Sequence, residues 1–205
     1  MKNKHLFGMV CSTCLLLVTG MTPVLADDVN ATIFWNDKEG WDATVPVYET
    51  LDFTGFNDAE WLSDQYADQG VTFSGTNQIL ETPGFLNDGW GVWGIGGSWV
   101  HFDEPMNWIA VDHPGSVRFT LFLDEEQVYQ SPIYGYGGIS PSIGHFSGIM
   151  VDFDFDTVWI HRPGSAGPNS FYDDLHYGNW AMVPGPGALA LFGLAALGVS
   201  RRRRA

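Results

Sequence analysis

The sequence predicts an all-β domain, an antiparallel β-sandwich of the jelly-roll kind, with an N-terminal signal peptide before it and a short C-terminal membrane helix after it. Three observations lead there. Apolar residues recur with period two in short segments, turn-forming clusters separate these segments about every 8–12 residues, and 25 glycines with 11 prolines interrupt any long helical periodicity. No internal repeat of roughly 20–50 residues is present to suggest a solenoid.

In chain order, strands are expected at residues 45–53, 71–74, 98–102, 108–111, 116–123, 148–153, 157–161 and 171–177. The stretch 116–123 shows the pattern best: Val117, Phe119, Leu121 and Leu123 fall on one side, as a half-buried strand requires. Asp112-His113-Pro114-Gly115-Ser116 and the cluster from Arg162 to Pro168 read as turns. A helix is expected only at residues 58–66.

Charge divides the chain into three parts. All 24 acids lie between Asp27 and Asp174, where Lys38, Arg118 and Arg162 are the only Lys or Arg, so this stretch carries a net −21. Such a body repels phosphate backbones and excludes nucleic acid as a partner. With 45% hydrophobic and 15% aromatic residues it still has material for a core, so residues 27–182 are read as one exported domain. Residues 1–26 have the form of a signal peptide, with Lys2 and Lys4 ahead of an apolar run and Val24-Leu25-Ala26 as a cleavage site. This implies the Sec translocon and signal peptidase as partners. Cys11 and Cys14 both fall inside that segment, leaving the mature chain without a thiol.

Residues 183–205 form a tail. Val183-Pro184-Gly185-Pro186 precedes an uncharged run at 187–200 and then Arg201, Arg202, Arg203 and Arg204. As a helix the run spans about 21 Å, short of the roughly 30 Å of bilayer hydrocarbon, and the arginines orient it with the acidic body outside. This order of Pro-x-Pro, short apolar segment and arginine cluster resembles the PEP-CTERM sorting signal, with Gly185 standing where the motif usually has Glu. The resemblance implies recognition by an exosortase-type membrane protease, and delivery to the cell envelope or extracellular matrix of a bacterium that makes exopolysaccharide.

The body carries a second resemblance. Glu49-Thr50-Leu51-Asp52-Phe53, Asp64-Gln65-Tyr66, Gly70-Val71-Thr72-Phe73 and Phe171-Tyr172-Asp173-Asp174-Leu175 are similar to jelly-roll carbohydrate-binding modules found among exported PEP-CTERM proteins. In those modules, acids of the first and last strands often share a structural calcium. If Phe171 and Leu175 face the core, period two turns Asp173 inward and Asp174 outward. A buried carboxylate needs donors or a cation. Calcium could then gather Asp173 or Asp174 with Glu49 or Asp52; backbone amides or solvent are the alternative partners.

Asp152, Asp154 and Asp156 begin like an EF-hand loop, but Thr157 occupies the glycine position and Pro163 the Glu position, so they read as a solvated strand face opposite Phe153 and Phe155. Gly89, Gly91 and Gly94 match a dinucleotide fingerprint without its βαβ context. Trp90, Trp93 and Trp99 lie in a glycine-dense run and either plug the core or face outward as platforms for sugar rings. Five histidines remain in the body, with no H-x-x-x-H or G-x-S-x-G motif. Acid pairs such as Asp103-Glu104 and Glu125-Glu126 are expected by chance among so many carboxylates. The expectation is a non-enzymatic exported protein that contacts polysaccharide. A calcium-stabilised matrix protein with no sugar ligand and a carbohydrate-active hydrolase are the alternatives.

Overall fold

The computed structural model describes residues 30–81, 89–135, 145–162 and 169–183. The expected signal peptide, the tail from Pro184 onward and the turn cluster beyond Arg162 lie outside the described residues. Within them, no helix is long and apolar enough to cross a membrane. The described chain is mostly antiparallel β-sheet with little helix. The strands are β1 (Ala31–Trp35), β2 (Glu49–Leu51), β3 (Glu60–Trp61), β4 (Val71–Glu81), β5 (Trp90–His113), β6 (Arg118–Leu123), β7 (Glu126–Gln130), β8 (His145–His161) and β9 (Ser170–Gly178). They join in one hydrogen-bonded network in the order β2-β9-β5-β8-β6-β7, with β1 added on β8, and β3 joined through β4 to β5.

The network is organised by two long strands that change neighbours part-way. In β5, Gly96 and Gly97 adopt φ of 83° and 88°, a left-handed corner open chiefly to glycine. A second irregularity falls between His101 and Met106. Three stretches result. The first pairs with the end of β4 and with Ser170–Tyr172 of β9; the middle lies between Val71–Ser74 of β4 and the end of β8; the last lies between the start of β8 and residues 173–178 of β9.

Residues 58–66 do not form the expected helix. Their backbone is committed to β4: Ala59 N–H donates to Ile79 O (2.8 Å), Leu62 N–H to Asn77 O (3.1 Å), and the Asp58 carboxylate accepts from Glu81 N–H (2.9 Å). The helix lies instead at α1 (Lys38–Thr44), where Asp37 caps Gly40 N–H at 2.8 Å, Lys38 pairs with Asp42 at 2.6 Å, and Trp41 is fully buried.

The main core gathers Phe53, Val71, Ile79, Val92, Val100, Ile109, Phe119, Leu121, Ile149, Val158 and Tyr172 among others. A second cluster, Phe34, Trp41, Val45, Trp108, Ala110 and Phe146, lies under α1. Trp41 packs edge-on against Phe34 (5.4 Å) and Phe146 (5.6 Å), and Gly148 lies beneath it, where a Cβ would come within 2.6 Å of its ring. Trp180 in turn covers Trp108, edge-on at 5.0 Å. The outward face of the β1-β8-β5-β9 region is therefore closed. The outward face of the β4-β5-β8-β6 region has no such helix over it among the described residues, and the candidate site lies there.

Candidate functional site

Strand register builds the site in cross-strand rows. Trp99 of β5 faces Ser74 of β4 on one side and Trp159 of β8 on the other, and Trp159 faces Thr120 of β6. The two indoles stack at 5.4 Å with planes 10° apart, His161 stacks on Trp159 at 3.8 Å, and Phe122 approaches Trp99 at 5.2 Å. The glycine corner makes this possible. Trp159 Nε1–H donates to Gly96 O (3.1 Å), and a Cβ on Gly97 would overlap that indole nitrogen. The neighbouring row is polar: His101 bonds Ser74 Oγ through Nε2 (2.7 Å) and Thr157 Oγ1 through Nδ1 (3.2 Å), which fixes the imidazole between β4 and β8.

One end of these rows floors a groove of about 860 Å³, lined by Trp99, His101, Phe102, Phe122 and Thr157, with Asp103, Asp124, Glu125 and Asp156 among the residues around them; Ser74, Trp159 and His161 lie outside that lining. The carboxylates come from three places: the second corner of β5, the β6–β7 turn, and mid-β8. The turn consists of Asp124 (φ 51°) and Glu125 (φ 68°), two non-glycine residues in the left-handed region, as a two-residue type I′ hairpin demands. Asp124 N–H donates to Asp156 Oδ2 (2.9 Å), tying the turn to β8. An apolar ring beside fixed hydroxyls, an imidazole and carboxylates can pack on a pyranose face while bonding its polar substituents.

The three tryptophans singled out from sequence have separate placements. Trp99 lines the groove. Trp93 is 40% exposed and belongs to a different row, with Gln78 and Trp61 (57% exposed) on one side and Phe171 on the other. Trp90 is half-buried against the main core. Sequence reasoning passed over Trp159, Phe122 and Trp61, and treated Asp103 and Glu125 as chance; strand register joins the aromatics, and the irregular corner and turn bring in the two acids.

The proposed calcium ligands occupy one strand pair. Glu49 lies opposite Tyr177 and Leu51 opposite Leu175, so Asp52 lies towards Asp174, while Glu49 is about 13 Å from Asp173 along the strands. Tyr177 O–H donates to Glu49 Oε2 (3.0 Å); burial, and then that carboxylate, push the phenol well above its ordinary range. Asp52 accepts from Thr54 N–H (3.2 Å) and Oγ1–H (3.1 Å). Asp173 is fully buried and Asp174 half-buried, but not by simple alternation: Tyr172 rather than Phe171 enters the core, and Asp174, at φ 45°, resets the phase before Leu175. Asp173 Oδ1 accepts from Asp174 N–H at 2.8 Å. Among the described residues no group of three or more His, Asp or Glu is gathered as a metal would require. Of the sorting tail only Val183 is described, packed against the second cluster.

The other ionisable groups are placed as follows. Asp152 accepts from Asn30 Nδ2 (3.0 Å) and Asp154 from Asn107 Nδ2 (2.9 Å). Burial holds the His113 and His161 imidazoles down at about 4, with Arg118 adding to the effect at His161. Thr50 Oγ1, His176 and Asp112 follow a hydroxyl–imidazole–carboxylate order. The first contact is 2.7 Å but the second is 3.8 Å, too long to orient a base, and Tyr48 and Phe146 pack on the ring. No protein-family model, curated protein or solved structure matches this chain.

Proposed function

We infer that this is an exported, non-enzymatic β-sandwich of jelly-roll type that binds polysaccharide, delivered to the envelope or matrix by a PEP-CTERM-like tail and an exosortase-type processing enzyme. The observation carrying the ligand reading is the groove: Trp99, braced by Trp159 and Phe122, beside Thr157 and a His101 imidazole held by Ser74 and Thr157. What supports the sandwich is the change of neighbours along β5 and β8, which lets one strand serve two sheet regions around a common core. The address reading rests on the layout of charge, with basic residues at both ends and 24 acids between.

The test is glycan binding by the full chain, wild type against Trp99→Ala and Trp93→Ala, with near-UV circular dichroism to confirm that each variant is folded. Loss of the Trp99 ring is expected to weaken binding about tenfold or more, while Trp93→Ala, outside the groove, leaves it unchanged. Binding indifferent to Trp99 would refute the assignment. Deleting Arg201 to Arg204 is expected to abolish tail processing and envelope delivery, and unaltered localisation would count against the sorting role.

A further inference from the structure

Resting on the glycan reading above, we propose that the groove selects amine-bearing glycans, polymers whose sugars carry a free protonated amino group, over neutral and uronic-acid glycans. The cavity and its aromatic floor define the site; the charge beside the floor decides which sugar fits. Asp103, Asp124, Glu125 and Asp156 converge from three separate stretches of chain, and no Lys or Arg is among the described residues that line the groove. Arg118, at the opposite end of β6, is occupied with Gln130 at 3.4 Å.

Three of the groove acids, like Glu39, Asp68, Glu81, Glu104 and Glu126, are not engaged by a described side chain or amide, whereas others are. Asp152 and Asp154 are each bonded to an asparagine amide, Asp42 to Lys38 and Glu49 to Tyr177. The side chains of Asp103, Asp124 and Glu125 take part in no such hydrogen bond or ion pair with any described residue. A uronate in this groove would meet like charge with no Lys or Arg among the described lining residues, and an N-acetyl sugar would bring a neutral amide that forms no ion pair with the carboxylates. An ammonium would gain charge-assisted bonds to carboxylates already in place.

The experiment is calorimetric titration of the full chain, in EDTA, with three probes: hexaglucosamine, its fully N-acetylated counterpart and hexagalacturonate. The amine-bearing hexamer is expected to bind at least about tenfold tighter than the acetylated one, and the uronate not to bind. The preference should shrink as salt screens the carboxylates and vanish as pH rises through the amine's own titration. The double variant Asp103→Asn/Glu125→Gln should bind both amino-sugar hexamers equally, whereas Trp99→Ala should weaken both. Equal affinity of wild type for the two, still dependent on Trp99, would overturn the amine proposal and leave the glycan reading standing. Binding of neither, or binding insensitive to Trp99, would overturn both. Uronate binding that appears only on adding calcium would also overturn the proposal, because the carboxylates would then act through a bridging ion.

Discussion

The β6–β7 turn offers a sharp test, because the structure shows it built against local preference. Asp124 and Glu125 hold φ of 51° and 68°, where a two-residue type I′ turn normally has Asn-Gly. An L-residue in the left-handed region costs about 1–2 kcal/mol, less for Asp, whose short side chain tolerates it. Glycine at position 125 removes that cost but returns about 0.5–1 kcal/mol through the greater freedom of the unfolded chain. Asparagine at 124 adds a few tenths and leaves the backbone bond to Asp156 intact. The net gain of the double variant Asp124→Asn/Glu125→Gly is therefore about 1 kcal/mol. For a domain of this size that corresponds to a rise of about 2–4 °C in Tm. Thermal unfolding followed by circular dichroism on the full chain reads it directly. The same variant removes two of the four groove carboxylates, so its affinity for hexaglucosamine should fall about tenfold. A Tm that stays level or drops would refute the account of the turn. A more stable protein with undiminished affinity would show that these acids are not held in strain for a ligand.

Other perturbations test the packing around the site. Gly97→Ala places a Cβ at φ 88° against the Trp159 indole, so a loss of about 1–3 kcal/mol and a changed near-UV spectrum are expected; an unperturbed spectrum would contradict the corner's role. Trp41→Ala empties the centre of the second cluster and should cost about 3–5 kcal/mol in denaturant titration, with a loss below 1 kcal/mol showing that α1 is not a structural cover. The buried histidines make stability depend on pH. His113 and His161 titrate near 4 when folded and near 6.5 when unfolded, so the unfolded chain takes up protons first. Their contribution, up to about 3 kcal/mol for His113 and less for the more solvent-screened His161, is complete above pH 6.5 and is lost as pH falls towards 4. His113→Gln should flatten that fall relative to wild type, and parallel curves would exclude the histidine as its source.

Period two made much of the interior legible. Val117, Phe119 and Leu121 are all buried in or beside β6 as the alternation requires, and parts of β4, β5, β8 and β9 were read as strands. What escaped has local causes. The opening stretch of β5 is so rich in glycine that no alternation survives, and Gly40 hides the helix that Asp37 and Trp41 secure. In β9 the left-handed Asp174 shifts the phase, so Tyr172 and Leu175, three apart, both enter the core. Alternation counted through such a residue gives the wrong face for Phe171.

The site was legible in its parts and not in its assembly. Asp103 and Glu125 are ordinary among 24 acids, and nothing local to Trp99 names Trp159, its partner across the β5–β8 register. The tryptophan run carries one further rule. Trp90 and Trp93 have opposite parity, so in a continuous strand they face opposite sides; Trp93 and Trp99 share parity and face the same side. The structure follows that rule, with Trp90 against the core and the other two outward. Gly96 and Gly97 then separate the outward pair. The corner they form sends Trp93 into the Trp61 row and Trp99 into the groove, and the missing Cβ of Gly97 makes room for the indole that braces Trp99. Glycine density in this run is thus the physical condition for two aromatic surfaces on one strand, and Trp99, on the second of them, lies in a groove with carboxylates around it.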